Sequence, residues 1–402
     1  MNQTFTSRLF ATDSNPLVFA VRLVLLPFSL LYYAATMTRN AVYDLGLLPA
    51  ARVNAAVVSV GNLTVGGTGK TPLVILLANR ALAAGKRVAI VARGYGAVAD
   101  AHGATDEVVL IAARCPGARL VVAPDKLLGA RQAAQAGADL ILVDDGLQHR
   151  RLHRDANIVM LDARAPFGNG MVLPAGSLRE PAAGLARADL LVLTHGETLS
   201  DSERVAAEAS VRAFHRSVPL VWARHAPVGV RSVNGGPARA PDTLRGRHVY
   251  LFCGIASPAG FRQTVEQLHA HVEGLMAFGD HHDFTPGDLA RVRSEARDHL
   301  ILCTEKDAAK IARIPGSGDV ECLVIDLQLE GGLPPILGID APWTPPAAEI
   351  DEHAAHAQPS HAAVAGHAGG GHDAHGHDHG AHASHGHDHG THASHGHGSA
   401  PH

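Results

Sequence analysis

Apolar residues in the first half of the chain occur as short continuous runs that are separated by longer helical stretches. Six such runs lie at Ala56–Val60, Arg87–Ala92, Arg119–Val122, Leu140–Val143, Ile158–Leu161 and Leu190–Leu193. Strands have this continuous apolar character when a parallel sheet is buried on both faces. The pattern therefore predicts a parallel sheet with helices on both faces, and the ligands of such sheets bind at the carboxyl ends of the strands.

The second half of the chain predicts a smaller α/β region. Its strands are expected near Leu220–Ala223, His248–Cys253, Leu300–Cys303 and Glu321–Ile325, and its helices near Pro258–His271 and Thr285–Asp298. A proline-rich stretch from Pro334 to Pro346 follows. Proline lacks a backbone N–H and interrupts both helices and strands, so the folded part of the chain is expected to end there.

Near the N-terminus, the segment Leu17–Met37 is strongly apolar but contains Arg22 and Pro27. Three interpretations compete: a helix that lies in or against a membrane surface, a true membrane span, and an ordinary core helix or signal-like segment. The first is favoured, because the uninterrupted apolar stretch is short for a span. Tyr32 and Tyr33 near one end are typical of a membrane interface.

The apolar run that begins at Ala56 leads into a glycine-rich loop, and residues 57–71 read VVSVGNLTVGGTGKT. In a phosphate-binding loop, backbone N–H groups and the start of the next helix hold phosphate oxygens. The lysine reaches the outer phosphates, and the hydroxyl after it binds Mg²⁺. A strict motif has glycine at position 64, and here Gly66 and Gly67 supply the flexibility instead. The candidate nucleotide-binding residues are Thr64, Val65, Gly66, Gly67, Thr68, Gly69, Lys70 and Thr71.

Two pairs of adjacent acidic residues are candidates for the chemistry. Asp144 and Asp145 end the run Leu140–Val143, where the acidic residues of nucleotide-binding sheets bind metal, and a solvated turn is the alternative. Asp106 and Glu107 precede another apolar stretch. A carboxylate beside the phosphate site could accept the proton of an attacking hydroxyl group.

Residues 278–283 read FGDHHD and form a polar cluster in the second half of the chain. A histidine of this cluster could polarise an aspartate across the cleft. A zinc site is the competing interpretation, but adjacent histidines seldom converge on one ion. The four cysteines, Cys115, Cys253, Cys303 and Cys322, have no C-x-x-C spacing, which predicts neither a disulfide framework nor a thiolate zinc site and favours a reducing compartment.

Charge is unevenly distributed along the 402 residues. The tail that begins at Asp351 has 16 of the 28 histidines and no lysine or arginine. The rest of the chain therefore contains all 34 basic residues and 33 of the 38 acidic ones, so its net charge is close to zero. This balance and the scarcity of aromatic residues argue against nucleic-acid binding.

The tail contains two back-to-back copies of a histidine-rich repeat, HGHDHGAHAS and HGHDHGTHAS, from His375 to Ser394. It has almost no large apolar side chain and is predicted to be disordered. Imidazoles at this density bind Ni²⁺, Zn²⁺ or Cu²⁺. The alternative, a solvated low-complexity extension that binds metal only incidentally, is favoured at this point.

Taken in order, eight motifs between Leu17 and Leu337 resemble those of the tetraacyldisaccharide 4'-kinases. They are SVGNLTVGGTGKTP (59–72), ARGYG (92–96), TDE (105–107), VDDGLQHRRLHRD (143–155), FGNG (167–170), LPAGSLREP (173–181), FGDHH (278–282) and TEKDAAK (304–310). The family's loop also lacks the glycine that Thr64 replaces.

The resemblance implies a kinase that uses ATP and Mg²⁺ to phosphorylate the 4'-hydroxyl of a lipid A disaccharide precursor, tetraacyldisaccharide 1-phosphate, which gives lipid IVA. It implies a position at the cytoplasmic face of the inner membrane, because a substrate with four acyl chains stays in the bilayer. By the same resemblance, the expected roles are catalysis for Lys70, Asp106, Asp145 and His281, metal binding for Thr71, Glu107 and Asp144, and substrate binding for Asn169, Arg179 and Glu180.

We therefore predict four parts. They are an N-terminal membrane-associated helix region (1–45), a P-loop NTPase-like nucleotide-binding and catalytic domain (46–210), a second α/β domain (211–345) and a disordered histidine-rich tail (346–402). A nickel-delivering P-loop GTPase is the alternative function, since such proteins combine a phosphate loop with histidine-rich segments. Guanine recognition usually needs an N/T-K-x-D motif after a late strand. At that place this chain reads Thr194-His195-Gly196-Glu197, which has neither the lysine nor the aspartate, and this argues against the GTPase.

Overall fold

Eleven strands form one continuous sheet in this computed structural model, which describes residues 5–10, 15–93, 106–255, 257–280, 282–334 and 339. The strands are β1 (Ala56–Asn62), β2 (Val88–Ala92), β3 (Arg119–Val122), β4 (Leu140–Asp144), β5 (Ala156–Asp162), β6 (Leu190–Thr194), β7 (Leu220–Ser232), β8 (His248–Cys253), β9 (His271–Ala277), β10 (Leu300–Thr304) and β11 (Val320–Leu329). Their spatial order is β3-β2-β4-β1-β5-β6-β7-β11-β10-β8-β9. Neighbouring strands are parallel except β7 and β11, so the predicted parallel sheet is confirmed.

Helices connect most of the strands and precede β1. Within the described ranges they are α1 (Phe5–Phe10), α2 (Pro16–Asp44), α3 (Lys70–Ala83), α4 (Asp106–Arg114), α5 (Lys126–Gln135), α6 (Asp201–Arg212), α7 (Pro258–Gln267), α8 (Pro286–Ala296) and α9 (Glu305–Ile311). Short 3-10 helices lie at Ala182–Arg187, Gly196–Thr198, Pro241–Leu244 and Ser317–Asp319.

Strand β1 has an apolar layer on each of its two faces. Val60 packs in the layer that contains Leu77 of α3, whereas Val57 packs in the layer that contains Ala130 of α5. These four side chains are at most 2% exposed. Because successive side chains of a strand point to opposite faces, a sheet that is covered twice requires the continuous apolar sequence that predicted it.

Strand β9 was not predicted from the sequence. The helix expected at Pro258–His271 ends at Gln267, His269 adopts a positive φ of 60°, and β9 begins at His271. This strand lies at the edge of the sheet and its side chains are half-buried or exposed. An edge strand needs no continuous apolar run, which explains why the sequence pattern did not reveal it.

Strands β7 and β11 pair with each other and join the two halves of the sheet. They have 13 and 10 residues and extend beyond the ends predicted at Ala223 and Ile325. Their ladder has a register shift between Val324 and Ile325, opposite Gly229 and Pro227. Polar residues and proline interrupt the apolar pattern, so that only the first part of each strand was visible in the sequence. The four-part division stays a prediction.

Helix α2 turns an apolar face outward. Leu17, Val24 and Leu31 are 65%, 70% and 71% exposed, whereas the hydroxyl of Ser29 is buried and donates to the Val172 carbonyl at 3.1 Å. Among the described residues, α2 is the one helix long and apolar enough to cross a membrane, judged by length and composition. The predicted apolar N-terminal helix is confirmed, and its mode of membrane contact stays a prediction. The predicted disorder of the tail concerns residues outside those described.

Candidate active site

The glycine-rich loop connects the end of β1 to the start of α3. Gly66 and Gly69 have φ angles of 116° and 81°, a region that glycine adopts without the steric cost that other residues incur. A Cβ on Gly66 would meet no described atom within 4 Å, whereas a Cβ on Gly69 would lie 3.2 Å from Nε2 of His225. The backbone at Gly66 is therefore open in the direction that a side chain would take.

Thr64 is held in place by the segment that follows β5. Its backbone therefore does not need the wider range of conformations that glycine allows. It is 8% exposed and forms an isolated antiparallel bridge with Leu178. The N–H of Val65 donates to the Ser177 carbonyl at 2.8 Å, and Nδ2 of Asn62 donates to the Thr64 carbonyl at 2.7 Å. These contacts fix an extended backbone, in which threonine is acceptable.

Lys70, Asp145 and Arg179 form a charged row beside the loop. Nζ of Lys70 donates to Oδ1 of Asn62 at 3.2 Å and lies 3.7 Å from Oδ1 of Asp145. Nη1 of Arg179 donates to Oδ2 of Asp145 at 2.6 Å. Burial lowers the pKa of Lys70, although the Asp145 carboxylate opposes this effect. Burial acts to raise the pKa of Asp145, but Lys70 and Arg179 outweigh it and the pKa is lowered.

Two carboxylate oxygens at the end of β4 have no donor. Within the described residues, Oδ1 of Asp144 and Oδ1 of Asp145 are buried and accept no hydrogen bond. Burial raises the pKa of Asp144, against the influence of Lys126 and Lys70. Unsatisfied buried oxygens are costly, and carboxylate oxygens are preferred ligands of Mg²⁺. Together with the Thr71 hydroxyl in the first turn of α3, they fit Mg²⁺ bound to a nucleotide.

The other acidic pair begins a helix. Asp106 and Glu107 form the first turn of α4, which the sequence had left unassigned. Oδ1 of Asp106 lies 3.0 Å from Nζ of Lys310 and Oδ2 lies 3.7 Å from Nζ of Lys306, and both lysines belong to α9. The candidate base is thus held by a helix from the second half of the chain. His281, its predicted assistant, lies outside the described residues.

The histidine beside it, His282, lies in the loop that precedes α8 and contacts the first turn of that helix. Its Nε2 lies 3.1 Å from Oδ2 of Asp288, and its ring stacks on Phe278 with a centroid distance of 4.7 Å. Asp288 also accepts hydrogen bonds from Thr285, with which it caps α8. In the part of the chain that the structure describes, no three His, Cys, Asp or Glu residues could hold a metal ion, so the zinc alternative has no ligand set there.

Asn169, predicted to contact the substrate, bonds to backbone groups. Its Nδ2 donates to the carbonyls of Leu9 and Ala175 at 3.2 and 2.9 Å, and its Oδ1 accepts from the N–H of Met171 at 3.1 Å. The side chain therefore ties the loop after β5 to α1. A role in substrate binding stays a prediction.

Glu180 lies in the interior. Its side chain is 0% exposed and accepts hydrogen bonds from Nδ2 of Asn40 at 2.8 Å, Nε2 of Gln148 at 2.9 Å and Nη2 of Arg187 at 2.6 Å. These bonds join α2 to the turn that follows Asp145. Arg179, next to it, is 26% exposed at its side chain and faces Asp145. Substrate contacts of both residues stay predictions.

Sequence reasoning missed one charged residue of this site. Lys126 begins α5 after the N-cap residue Asp125 and is 1% exposed. Its electrostatic neighbours include Asp144 and Asp145. The available signal was the position of a lysine four residues after the end of β3, near the carboxyl ends of the strands, where Asp144 was already expected.

The chain matches a family described as tetraacyldisaccharide-1-P 4'-kinase over residues 21–336. A tetraacyldisaccharide 4'-kinase from Anaeromyxobacter dehalogenans (strain 2CP-C) is 42% identical over 322 residues, which cover 75% of this chain and 85% of the relative. The enzyme of that name from Syntrophus aciditrophicus (strain SB) is 41% identical over 315 residues, with coverages of 72% and 84%.

A solved structure is also similar to this chain. The crystal structure of LpxK from Aquifex aeolicus in complex with ATP superimposes with a TM-score of 0.62 and 32% sequence identity, and the match covers 77% of this chain and 95% of that one. The family match includes the glycine-rich loop, both acidic pairs and α9, and it ends before the histidine-rich tail. The nickel-delivery alternative is therefore not favoured, and the chain belongs to the tetraacyldisaccharide 4'-kinase family.

Proposed function

We propose that this lipid A 4'-kinase transfers the γ-phosphate of ATP, bound with Mg²⁺, to the 4'-hydroxyl of tetraacyldisaccharide 1-phosphate at a membrane surface. The observation that carries the proposal is the convergence of Lys70, Asp144 and Asp145 beside an open glycine-rich loop. The ATP in the crystal structure of the Aquifex relative supports the choice of nucleotide.

The residues of the loop supply positioning and positive charge. Backbone N–H groups near Gly67 and Gly69 would hold phosphate oxygens, and Lys70 would neutralise charge on the transferring group. Thr71, Asp144 and Glu107 would hold Mg²⁺, with Asp145 at the phosphate side. When bound, Mg²⁺ supplies electrostatic stabilisation of the phosphate oxygens. Most of the rate enhancement in such transfers comes from positioning and electrostatics.

Asp106 is the proposed general base, assisted by His281. Phosphoryl transfer requires the acceptor hydroxyl to lose its proton as its oxygen closes on phosphorus, and a carboxylate within hydrogen-bond reach can take that proton. The lysines at 3.0 and 3.7 Å from Asp106 support this role, because they hold the carboxylate in one position.

The membrane is the proposed source of the acceptor. A substrate with four acyl chains stays in the bilayer, and the outward apolar residues of α2 would allow the enzyme to reach it there. Leu17, Val24 and Leu31 are the most direct support, since each is at least 65% exposed. Because ATP is supplied by the cytoplasm, the proposed position of the enzyme is the cytoplasmic face of the inner membrane.

Transfer of radiolabel from γ-labelled ATP to tetraacyldisaccharide 1-phosphate in detergent micelles with Mg²⁺ tests the proposal. We expect labelled lipid from the wild-type chain and almost none from Lys70→Ala. Lys86→Ala is the matched control and should keep full activity. Lys86 lies in the turn between α3 and β2, at the amino ends of the strands, whereas the candidate site lies at their carboxyl ends. Absence of labelled lipid with folded wild-type protein would contradict the proposal.

We also propose that the histidine-rich tail binds transition metal ions independently of the kinase. The support is the repeat itself, because neutral imidazoles at this density are ligands for Ni²⁺, Zn²⁺ and Cu²⁺. Equilibrium dialysis with Ni²⁺ at pH 7.5 should detect binding by the full chain and not by a chain that ends at Glu349. Equal binding by the two chains would contradict it.

A further inference from the structure

Lys126 is a buried ammonium group with few partners. Its side chain is 1% exposed, and in the described part of the chain its single hydrogen bond runs from Nζ to the Val91 carbonyl at 3.5 Å, the upper limit for such a bond. It forms no salt bridge with a described carboxylate. A lysine has three N–H donors, so at least two of them have no described acceptor.

Burial without a partner is unfavourable for a charged group. Burial lowers the pKa of Lys126 to about 8. The carboxylates of Asp144 and Asp145 oppose this shift, although neither of them forms a bond to Lys126. A lysine that only filled space here would be replaced without loss by a hydrophobic residue of similar length. The buried and unpaired charge therefore points to an anion that binds during the reaction.

The position of Lys126 identifies the class of anion. Val91 lies at the carboxyl end of β2 and Asp144 ends β4, so Lys126 shares the edge of the sheet from which the phosphate loop projects. Asp144 interacts with both Lys126 and Lys70. Two lysines from different helices, α5 and α3, thus act electrostatically on one acidic residue of the candidate site.

We propose that Lys126 is a second phosphate-binding lysine of this kinase, which contacts a phosphate oxygen from the α5 side while Lys70 contacts the nucleotide from the loop side. The inference rests on the proposed function. Two phosphate groups have the required chemistry: the γ-phosphate of ATP and the 1-phosphate of the lipid acceptor. In either case Lys126 acts on the substrate and differs from a residue that only supports β2.

The test compares Lys126→Met, Lys126→Arg and Lys126→Gln with the wild-type chain and with Lys86→Met. Methionine keeps the length and removes the charge, arginine keeps a charge, and glutamine keeps a donor for the Val91 carbonyl without charge. We expect Lys126→Met to lower kcat/KM by about 100-fold or more, as the loss of a charge-stabilising donor does. Its thermal midpoint should equal or exceed that of the wild type, because an unpaired buried charge is gone.

Arginine should restore at least a tenth of the wild-type activity and glutamine should not, since the charge and not the hydrogen bond to Val91 is required. Unchanged kcat/KM in Lys126→Met, or full activity in Lys126→Gln, would overturn the inference. If Lys126→Met does not fold, the glutamine variant decides the question.

Two further arms separate the sources of phosphate. A contact with ATP predicts weaker binding of ATP by Lys126→Met in equilibrium dialysis, with an unchanged KM for lipid. A contact with the 1-phosphate predicts a raised KM for lipid, and the difference from wild type should vanish with an acceptor that lacks the 1-phosphate. Normal values in both arms would exclude a phosphate contact.

Failure of the wild-type chain to label lipid would instead contradict the proposed function. The measurement of ATP binding would still test the inference about Lys126.

Discussion

At the scale of single residues, the site combines three acidic groups with three basic ones: Asp144, Asp145 and Glu107 with Lys70, Lys126 and Arg179. Lys70 and Arg179 both contact Asp145, and Asp144 interacts with Lys70 and Lys126. Such a site is close to electrically balanced before substrate binds, and the orphaned carboxylate oxygens leave room for a cation that arrives with the nucleotide. Removal of one charged side chain would therefore leave an uncompensated charge in the site.

Asp106 allows a direct test of the proposed base. We expect Asp106→Asn to lower kcat by about 100-fold or more, because the amide cannot accept the hydroxyl proton, with little change in ATP affinity. Lys310→Met is the matched control, since it removes the partner at 3.0 Å but keeps the carboxylate, and it should lose less activity. Steady-state kinetics with lipid acceptor give both values. Unchanged turnover in Asp106→Asn would remove this residue from the mechanism.

Arg87 and Asp139 lie just before β2 and β4, at the amino ends of the strands and away from the candidate site. Their ion pair is expected to make the stability of the fold depend on pH. Hydrogen bonds from Arg87 lower the pKa of Asp139 to about 2. The unfolded chain has the ordinary aspartate pKa of about 3.9, so the stabilisation is complete above that pH and is lost as the pH falls towards 2. Arg87 is exposed, and the effect is expected to be modest.

Thermal midpoints of the wild-type chain and Arg87→Ala between pH 2 and pH 7 test this prediction. The wild type should be the more stable protein at neutral pH, and the difference should shrink below pH 4. A difference that stays constant across the whole range would show that Arg87 stabilises the fold by packing and not through the charge of Asp139.

At the scale of elements, the sequence predicted whatever depends on continuous apolar runs. The six strands of the first half were confirmed with boundaries that differ by at most two residues at either end. β9 was missed because it lies half-exposed at an edge, and the far ends of β7 and β11 were missed because polar residues interrupt them. These elements owe their conformation to pairing with distant strands, which no local pattern records.

The residues of the candidate site likewise fall into those that local sequence could predict and those that depend on distant contacts. The loop and the pair Asp144 and Asp145 were predictable, because strand, loop and helix follow each other locally and the carboxyl ends of parallel strands meet at one edge. The contact of Asp106 with α9 joins residues about 200 positions apart, and the burial of Lys126 and Glu180 depends on packing between several elements. Neither spacing nor composition specifies such contacts.

Helix α5, which carries Lys126, packs closely on β2. A Cβ on Gly129 would lie 2.7 Å from Cγ1 of Val91 and 3.1 Å from Cβ of Ala123. We therefore expect Gly129→Ala to destabilise the protein by about 1–3 kcal/mol through overpacking, although alanine favours helices more than glycine does. Urea unfolding measures the change. Gln132→Ala, on an exposed position of the same helix, is the control and should differ little from wild type. Increased stability of Gly129→Ala would show that the helix can move away from the sheet.

At the scale of the whole molecule, contacts between the two halves of the sheet bring α4 to the site. Besides the ion pairs of Asp106, Arg114 at the other end of α4 forms ion pairs with Glu305 and Asp326. Both ends of the helix that carries the proposed base are therefore held by residues of the second half. This arrangement explains why a phosphate loop and its sheet alone would not complete the site.

The tail is expected to be dispensable for the kinase. The family match ends at residue 336, and the residues of the candidate site all precede it. A chain that ends at Glu349 should phosphorylate lipid with a kcat/KM within about twofold of the full chain, because no proposed contact with substrate is lost. Assays of both chains at equal concentration, with and without Ni²⁺, provide the comparison. A large loss of lipid phosphorylation after truncation would assign the tail a role in catalysis.

The position of the new phosphate on the product distinguishes a 4'-kinase from a kinase that modifies another hydroxyl or phosphate group. Lipid formed by the wild-type chain from ATP and tetraacyldisaccharide 1-phosphate would be purified and examined by ¹H–³¹P correlation NMR. We expect a second phosphorus signal that is coupled to the proton on the 4' carbon, in addition to the existing 1-phosphate signal. A phosphate coupled to any other ring position, or a product with a diphosphate at position 1, would contradict this expectation.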